Sequence, residues 1–112
     1  MSGTDASTDD SDGFDVIIHA PKRLMICAFL DAVAEAEFAT VQERVAVSAS
    51  VLSKHVAVLA EAGYVAQRKT VRDTRPRVQL RLTTEGRHAY RAHVAALRAI
   101  VDAAPGEGPT RK

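Results

Sequence analysis

Two groups of residues in this 112-residue chain have side chains capable of chemistry. The first is Ser48, Ser50, Ser53, Lys54 and His55, crowded into one short stretch. The second is Lys69, Arg72, Thr74, Arg75 and Arg77. Neither group suits bond-breaking. Ser53 and His55 stand two apart, so on a helix they point to different faces and cannot work as nucleophile and base. What both groups can do is hold an anion. Hydroxyls and an ammonium group accept close approach of a phosphate, and guanidinium offers it a planar fork of donors.

Charge supports that reading. The formal net charge is only +1, but it is unevenly spread. Residues 1–15 carry Asp5, Asp9, Asp10, Asp12 and Asp15 with no basic residue, hence −5. Residues 64–82 carry Arg68, Lys69, Arg72, Arg75, Arg77 and Arg81 against Asp73 alone, hence +5. A concentrated basic segment on a near-neutral chain points to a polyanion meeting one surface. The plainer reading is a solvated basic loop with no partner.

Other chemistries find little support. No glycine-rich phosphate loop, no carboxylate pair in an apolar setting and no serine or cysteine beside a base is present, so no enzyme is expected. The single cysteine, Cys27, excludes an internal disulfide and any multi-cysteine metal site. It sits in an apolar run and is expected to be buried and inert. His88 and His93 are five apart and share no helix face cleanly, so neither metal nor cofactor is expected. His19 of one copy could still approach His93 of another. The longest apolar run, Leu24 to Leu30, is far too short to span a membrane. The acidic, polar start resembles no signal peptide, which fits a cytoplasmic protein.

Elements must then position the two groups. Residues 1–13 and 104–112 hold little to bury and are expected to be tails around a domain of residues 14–103. A first helix is predicted from Pro21 through Glu37, apolar on every side over Leu24–Leu30, which calls for a partner subunit. Thr40 with Glu43 forms a capping-box pattern for a short second helix over residues 41–47. Ser48 caps a third helix, with Val51, Leu52, Val56 and Leu59 facing the core and Gly63 as its stop. Residues 65–69 and 77–83 alternate like half-buried strands, joined by a basic loop over residues 70–77. Thr83 or Thr84 opens a last helix to about Ala103. The class is therefore mainly α with a small β-hairpin, in the order helix-helix-helix-strand-strand-helix: a helix-turn-helix followed by a wing.

Four motifs carry a family likeness: Pro21-Lys22-Arg23-Leu24, Ser50-Val51-Leu52-Ser53-Lys54-His55, Leu59-Ala60-Glu61-Ala62-Gly63-Tyr64-Val65 and Leu82-Thr83-Thr84-Glu85-Gly86. In this order the chain resembles the compact winged helix-turn-helix regulators of the broad MarR and ArsR grouping, over roughly residues 14–101. Val56 and Ala60 stand where members often carry leucine and glutamate. The resemblance implies a homodimer that binds palindromic operator DNA and regulates transcription.

On that reading residues 48–62 form the recognition helix, presenting Ser48, Ser50, Ser53, Lys54 and His55 to DNA. The wing supplies Lys69, Arg72, Thr74, Arg75 and Arg77 to phosphates or a minor groove. Alternatively, Ser48 and Ser50 are only caps and His55 covers the core edge. Leu24, Ile26 and Phe29 of the first helix are candidates for a dimer interface with Tyr90, Val94, Leu97 and Val101, spaced four, three and four. The last four could equally be core. Repression is the expected mode, since blocking a promoter needs no activating surface. A small-molecule effector is possible but no residue demands one. A different class of function also fits: a winged-helix protein-interaction module regulated by its acidic N-terminal segment.

Overall fold

The computed structural model describes residues 13–103. The expected segment 104–112, and all of the expected acidic segment except Gly13, lie outside the described residues. The elements are α1 (Val16–His19), α2 (Pro21–Asp31), β1 (Ala36–Glu37), α3 (Phe38–Val45), α4 (Ala49–Glu61), β2 (Val65–Arg72), β3 (Arg75–Leu82) and α5 (Thr84–Ala103). The architecture is mainly helical with a small antiparallel sheet, a winged helix-turn-helix.

Local sequence explains most element ends. Pro21 occupies the first turn of α2, where its missing N–H costs nothing. Ser48 caps α4, its Oγ accepting the Val51 N–H at 3.2 Å. Gly63, at φ +85°, turns the chain from α4 into β2. Thr83 then staples the two ends together. Its N–H donates to the Tyr64 carbonyl at 3.0 Å, its hydroxyl donates to the Gly63 carbonyl at 2.6 Å, and its Oγ1 accepts the Gly86 N–H at 2.8 Å as the cap of α5.

The core joins every layer. Ile18 of α1, Ile26, Cys27 and Leu30 of α2, Val41 and Val45 of α3, Leu52, Val56 and Leu59 of α4, and Val65, Leu80 and Leu82 of the sheet form one buried cluster. Val78, Leu80 and Leu82 share the inward side of β3, as the alternation of that strand requires. Cys27 is buried and its thiol is pushed up to about 12, chiefly by burial.

Several sequence expectations are corrected. The first helix stops at Asp31 rather than Glu37, because Ala36 and Glu37 pair with Leu80 and Gln79 as a third strand. The sheet order is β1-β3-β2. Phe38, Ala39 and Thr40 are therefore helical rather than a link, and Glu37, not Thr40, occupies the cap of α3. A four-residue helix, α1, precedes α2, its start held by Asp15 Oδ1 accepting the Ile17 and Ile18 N–H groups at 2.9 and 3.1 Å. Val51 faces out rather than into the core, 39% exposed. Most of the expected 70–77 loop is strand: β2 and β3 pair from Val65–Leu82 to Arg72–Arg75, leaving only Asp73 and Thr74 to turn. Both take left-handed backbone, φ 55° and 61°, as a two-residue hairpin turn requires.

Pro76 survives within this strand for a register reason. Arg72 and Arg75 close the two-residue turn as a hydrogen-bonded pair, so the next pair, Val71 and Pro76, exchanges no ladder bond. The missing N–H of Pro76 faces the side that β1, only two residues long, never reaches.

Candidate nucleic-acid interface

The N-terminal half of α4 displays the first group of residues. Leu52, Val56 and Leu59 anchor one face of the helix in the core. Ser48, Ser50, Ser53 and Lys54 are thereby left exposed on its other sides. Ser48 does act as a cap, and the Ser50 hydroxyl lies 3.4 Å from its Oγ. Both hydroxyls still face outward. Val51 and Val58 add exposed apolar surface to the same helix, 39% and 38% accessible.

His55 sits differently. It is half-buried, and its Nδ1 lies 3.4 Å from Nη1 of Arg23 on α2. Arg23 is itself fixed, donating from Nε to the Ile17 carbonyl at 2.6 Å. A guanidinium can only donate, so the facing His55 nitrogen is an acceptor without a proton. Burial, then Arg23 and Lys22, hold the His55 pKa below its ordinary value. The ring is thus neutral and points along the α2 side.

The wing brings the second group beside the first. An open groove of about 500 Å³ is lined by Ser53 of α4, by Phe38 and Ala39 of α3, and by Gln67, Lys69, Pro76, Arg77 and Val78 of the hairpin. Ser53, Lys69 and Arg77 therefore share one depression although up to 24 positions separate them in sequence. Arg77 is half-buried there, and its Nε is buried with no hydrogen-bond partner. Thr74 and Arg75 are exposed at the tip. Among the described residues, Lys54, Lys69, Arg75 and Arg77 take part in no ion pair.

Arg72, expected on the wing, is paired within the chain. Its Nε and Nη2 lie 2.9 and 3.1 Å from the Glu37 carboxylate. Arg68 grips Glu35 in the same two-pronged way, at 2.9 and 2.6 Å. Because β3 lies between β2 and β1, both pairs reach across the middle strand. The Arg68 donors hold the Glu35 carboxyl below the usual carboxylate range. Sequence reasoning missed both glutamates, since it placed them in a helix far from the hairpin.

The expected interface residues are divided. Leu24, Phe29, Tyr90, Val94 and Leu97 are half-buried, and Val101 is 69% exposed. Ile26 has no accessible surface and belongs to the core, leaving nothing of it for a partner to cover. Met25, the neighbour that does emerge, borders a shallow apolar groove with Ala28, Phe29 and Ala32, and Arg44 lies over the Phe29 ring at 4.8 Å. No helix among the described residues is long and apolar enough to cross a membrane.

Comparison with known proteins agrees with this geometry. No curated protein shows significant similarity to the chain. Among solved structures, the chain is similar to a transcriptional regulator homologue protein from Pyrococcus horikoshii OT3, at 27% identity and TM-score 0.76, covering 86% of this chain and 95% of that one. It is also similar to a protein described as a transcriptional regulator of the MarR family from Enterococcus faecalis V583, at 19% identity and TM-score 0.71, covering 91% and 90%. A third likeness is to the PcaV transcriptional regulator from Streptomyces coelicolor, at 22% identity and TM-score 0.68, covering 96% and 87%. The family model of the winged helix DNA-binding domain matches residues 22–101, from the second residue of α2 to near the end of α5. Its members are DNA-binding modules rather than enzymes, and the chain belongs to this winged helix DNA-binding domain family.

Proposed function

We propose that the protein is a cytoplasmic, homodimeric transcriptional regulator that binds a palindromic operator and acts as a repressor. One observation carries the reading: Ser53, on the exposed side of α4, and the wing cations Lys69 and Arg77 border a single groove. A helix fits the major groove of DNA, and its first turns meet base edges. Ser50, Ser53 and Lys54 stand there, with Ser48 at the helix start where backbone N–H groups favour phosphate. Exposed Val51 suits apolar contact with a thymine methyl group. Lys69, Thr74, Arg75 and Arg77 would track the adjacent backbone and minor groove, while Arg72 joins only by leaving Glu37.

A single module makes few phosphate contacts, so a dimer that doubles them gains affinity. The outward side of α5 offers Val94, Leu97 and Val101, with Ile100 57% exposed beside them, and α2 offers Leu24 and Phe29. Footprinting tests the reading. Two protected half-sites, related by a two-fold and about 10 base pairs apart centre to centre, are expected. A single unpaired footprint contradicts the dimer. Uniform protection contradicts sequence-specific binding.

A second reading has its own observation. Glu35 and Glu37 show that carboxylates seat well on the wing arginines. An acidic protein, or residues Asp5, Asp9, Asp10 and Asp12 of this chain, could compete for the same cations. Asp15 is not part of that set, because its carboxylate is committed to capping α1. Deleting residues 1–12 tightens DNA binding at low salt if that competition operates.

A further inference from the structure

His93 lies on α5 without any accessible surface, and the putting away of an ionisable ring calls for explanation. Its Nδ1 accepts the backbone N–H of Asp15 at 2.9 Å. A nitrogen that accepts carries no proton, so the ring proton is on Nε2. Nε2 lies 3.2 Å from Nδ1 of His19 and donates to it, which requires His19 to leave Nδ1 bare as well. Phe14 packs against both rings, with centroids 4.7 Å from His19 and 4.8 Å from His93, while His19 stays exposed on its other side. Asp15 is equally committed. Its Oδ1 accepts two amides of α1, and its Oδ2 accepts the Tyr64 hydroxyl at 2.5 Å.

The connection continues to α4. The carbonyl of Ile17 in α1 accepts Arg23 Nε at 2.6 Å, and the same guanidinium meets His55 on α4. One line of contacts thus runs from His93 through Asp15, Ile17 and Arg23 to the helix proposed to read DNA.

Two imidazole nitrogens this close also suggest a metal, but the tautomer argues against it. A ligating histidine turns a bare nitrogen to the metal and donates from the other. His93 does the reverse, and no group of three potential ligands exists among the described residues.

We infer that His93, His19 and Asp15 form an acid-sensitive latch that holds residues 13–19 on α5 and, through Ile17 and Arg23, steadies the His55 side of α4. Its effect on DNA rests on the function proposed above. Protonating His93 would place a hydrogen on Nδ1 against the Asp15 N–H, two donors face to face, and a charge in a dry site. The charged and titratable groups around the cluster are Asp15 and His19 beside it, Tyr64 beyond α4, and Cys27 and Arg23 on α2. Tyr64 and Cys27 stay protonated, each pushed up to about 12. Burial first, and then His19, hold the His93 pKa below its ordinary value, with Asp15 pulling weakly the other way. The sign follows. The latched ring binds fewer protons than the released ring, so the latch is fully stabilising above the ordinary value of 6.5 and weakens as pH falls from there through the lowered pKa.

Amide hydrogen exchange on the free full-length protein, read as protection factors at pH 7.5 and 5.5, tests the latch. Protection of the Ile17 and Ile18 amides should fall several-fold on acidification, and His93→Gln, whose neutral amide can still accept the Asp15 N–H, should abolish the fall. Unchanged protection in the wild type overturns the latch. Should the variant fail to fold, ring nitrogen shifts of wild-type His93 at pH 7.5 serve instead: a bare Nδ1 is required, and a protonated Nδ1 overturns the proposal. Anisotropy on the footprinted DNA then tests the coupling. Added positive charge alone tightens DNA binding in acid, whereas the latch predicts weaker binding in the wild type than in H93Q. Equal affinities overturn the coupling. DNA binding absent at both pH values instead contradicts the proposed function, since the exchange measurement uses no DNA.

Discussion

Gly86 packs so tightly beneath Tyr64 that a Cβ built on it would overlap the Tyr64 carbonyl oxygen and lie 2.7 Å from its carbon. Both obstacles are backbone, pinned by the Thr83 N–H donating to that same oxygen. Neither can yield without moving the junction between α4, β2 and α5. Gly86→Ala should destabilise the fold by about 2–3 kcal/mol, read as a lower urea midpoint with unchanged slope. A neutral substitution would mean that the junction is looser than described.

Tyr64 and Asp15 join that junction to the N-terminal turn. Tyr64→Phe removes the hydroxyl donated to Asp15 Oδ2 and should cost about 1–2 kcal/mol. Burial, then that hydrogen bond to Asp15, pushes the Tyr64 pKa up to about 12. The folded form therefore keeps a proton that the unfolded chain loses near 10, so this stability is present below pH 10 and disappears as pH rises through about 12. Alkaline difference absorbance should show one tyrosine fewer titrating late in Y64F.

The wing turn carries backbone strain. Thr74 is β-branched and holds φ 61°, a conformation that costs such a residue on the order of 1 kcal/mol. Thr74→Gly should relieve it and raise the protection of the hairpin amides. If T74G lowers that protection, the turn is not the type assigned to it.

Glu35 and Glu37 pair with two hairpin arginines that the proposed DNA contact could otherwise engage. Replacing both with glutamine should strengthen binding at low salt and steepen the log–log salt slope by up to about 2, near 0.9 for each additional phosphate neutralised. The fold should tolerate the change, because exposed ion pairs contribute little stability. An unchanged slope would place Arg68 and Arg72 away from DNA.

Much of this molecule is legible in its sequence. Helix α4 announces itself through the Ser48 cap, the spacing of Leu52, Val56 and Leu59, and the Gly63 stop, all local signals. Val51 is easily misplaced because it adjoins Leu52 and is equally apolar, while the helix turns it outward. The strand at Ala36–Glu37 is invisible for another reason: its residues favour helix, and only pairing with Leu80 and Gln79, more than forty positions away, makes them extended. The Arg72–Glu37 and Arg68–Glu35 pairs follow from that strand and are hidden with it. His19 and His93 stand out in the sequence, but with 74 positions between them their approach is expected only between two copies. The described structure places them 3.2 Å apart within one chain.

Val51 and Leu52 separate binding from folding, and they offer the most direct test that α4 meets DNA. Leu52, with no exposed surface, should cost about 2–5 kcal/mol when truncated to alanine. Val51→Ser, on the exposed side, should change stability by less than about 0.5 kcal/mol. The measurement is fluorescence anisotropy of V51S and Lys54→Ala on the protein's own upstream DNA, across several salt concentrations. Both variants should stay folded and lose affinity, K54A with a salt slope shallower by about 1 and V51S with its slope unchanged. Wild-type affinity and slope in both folded variants would contradict a DNA-reading role for this helix.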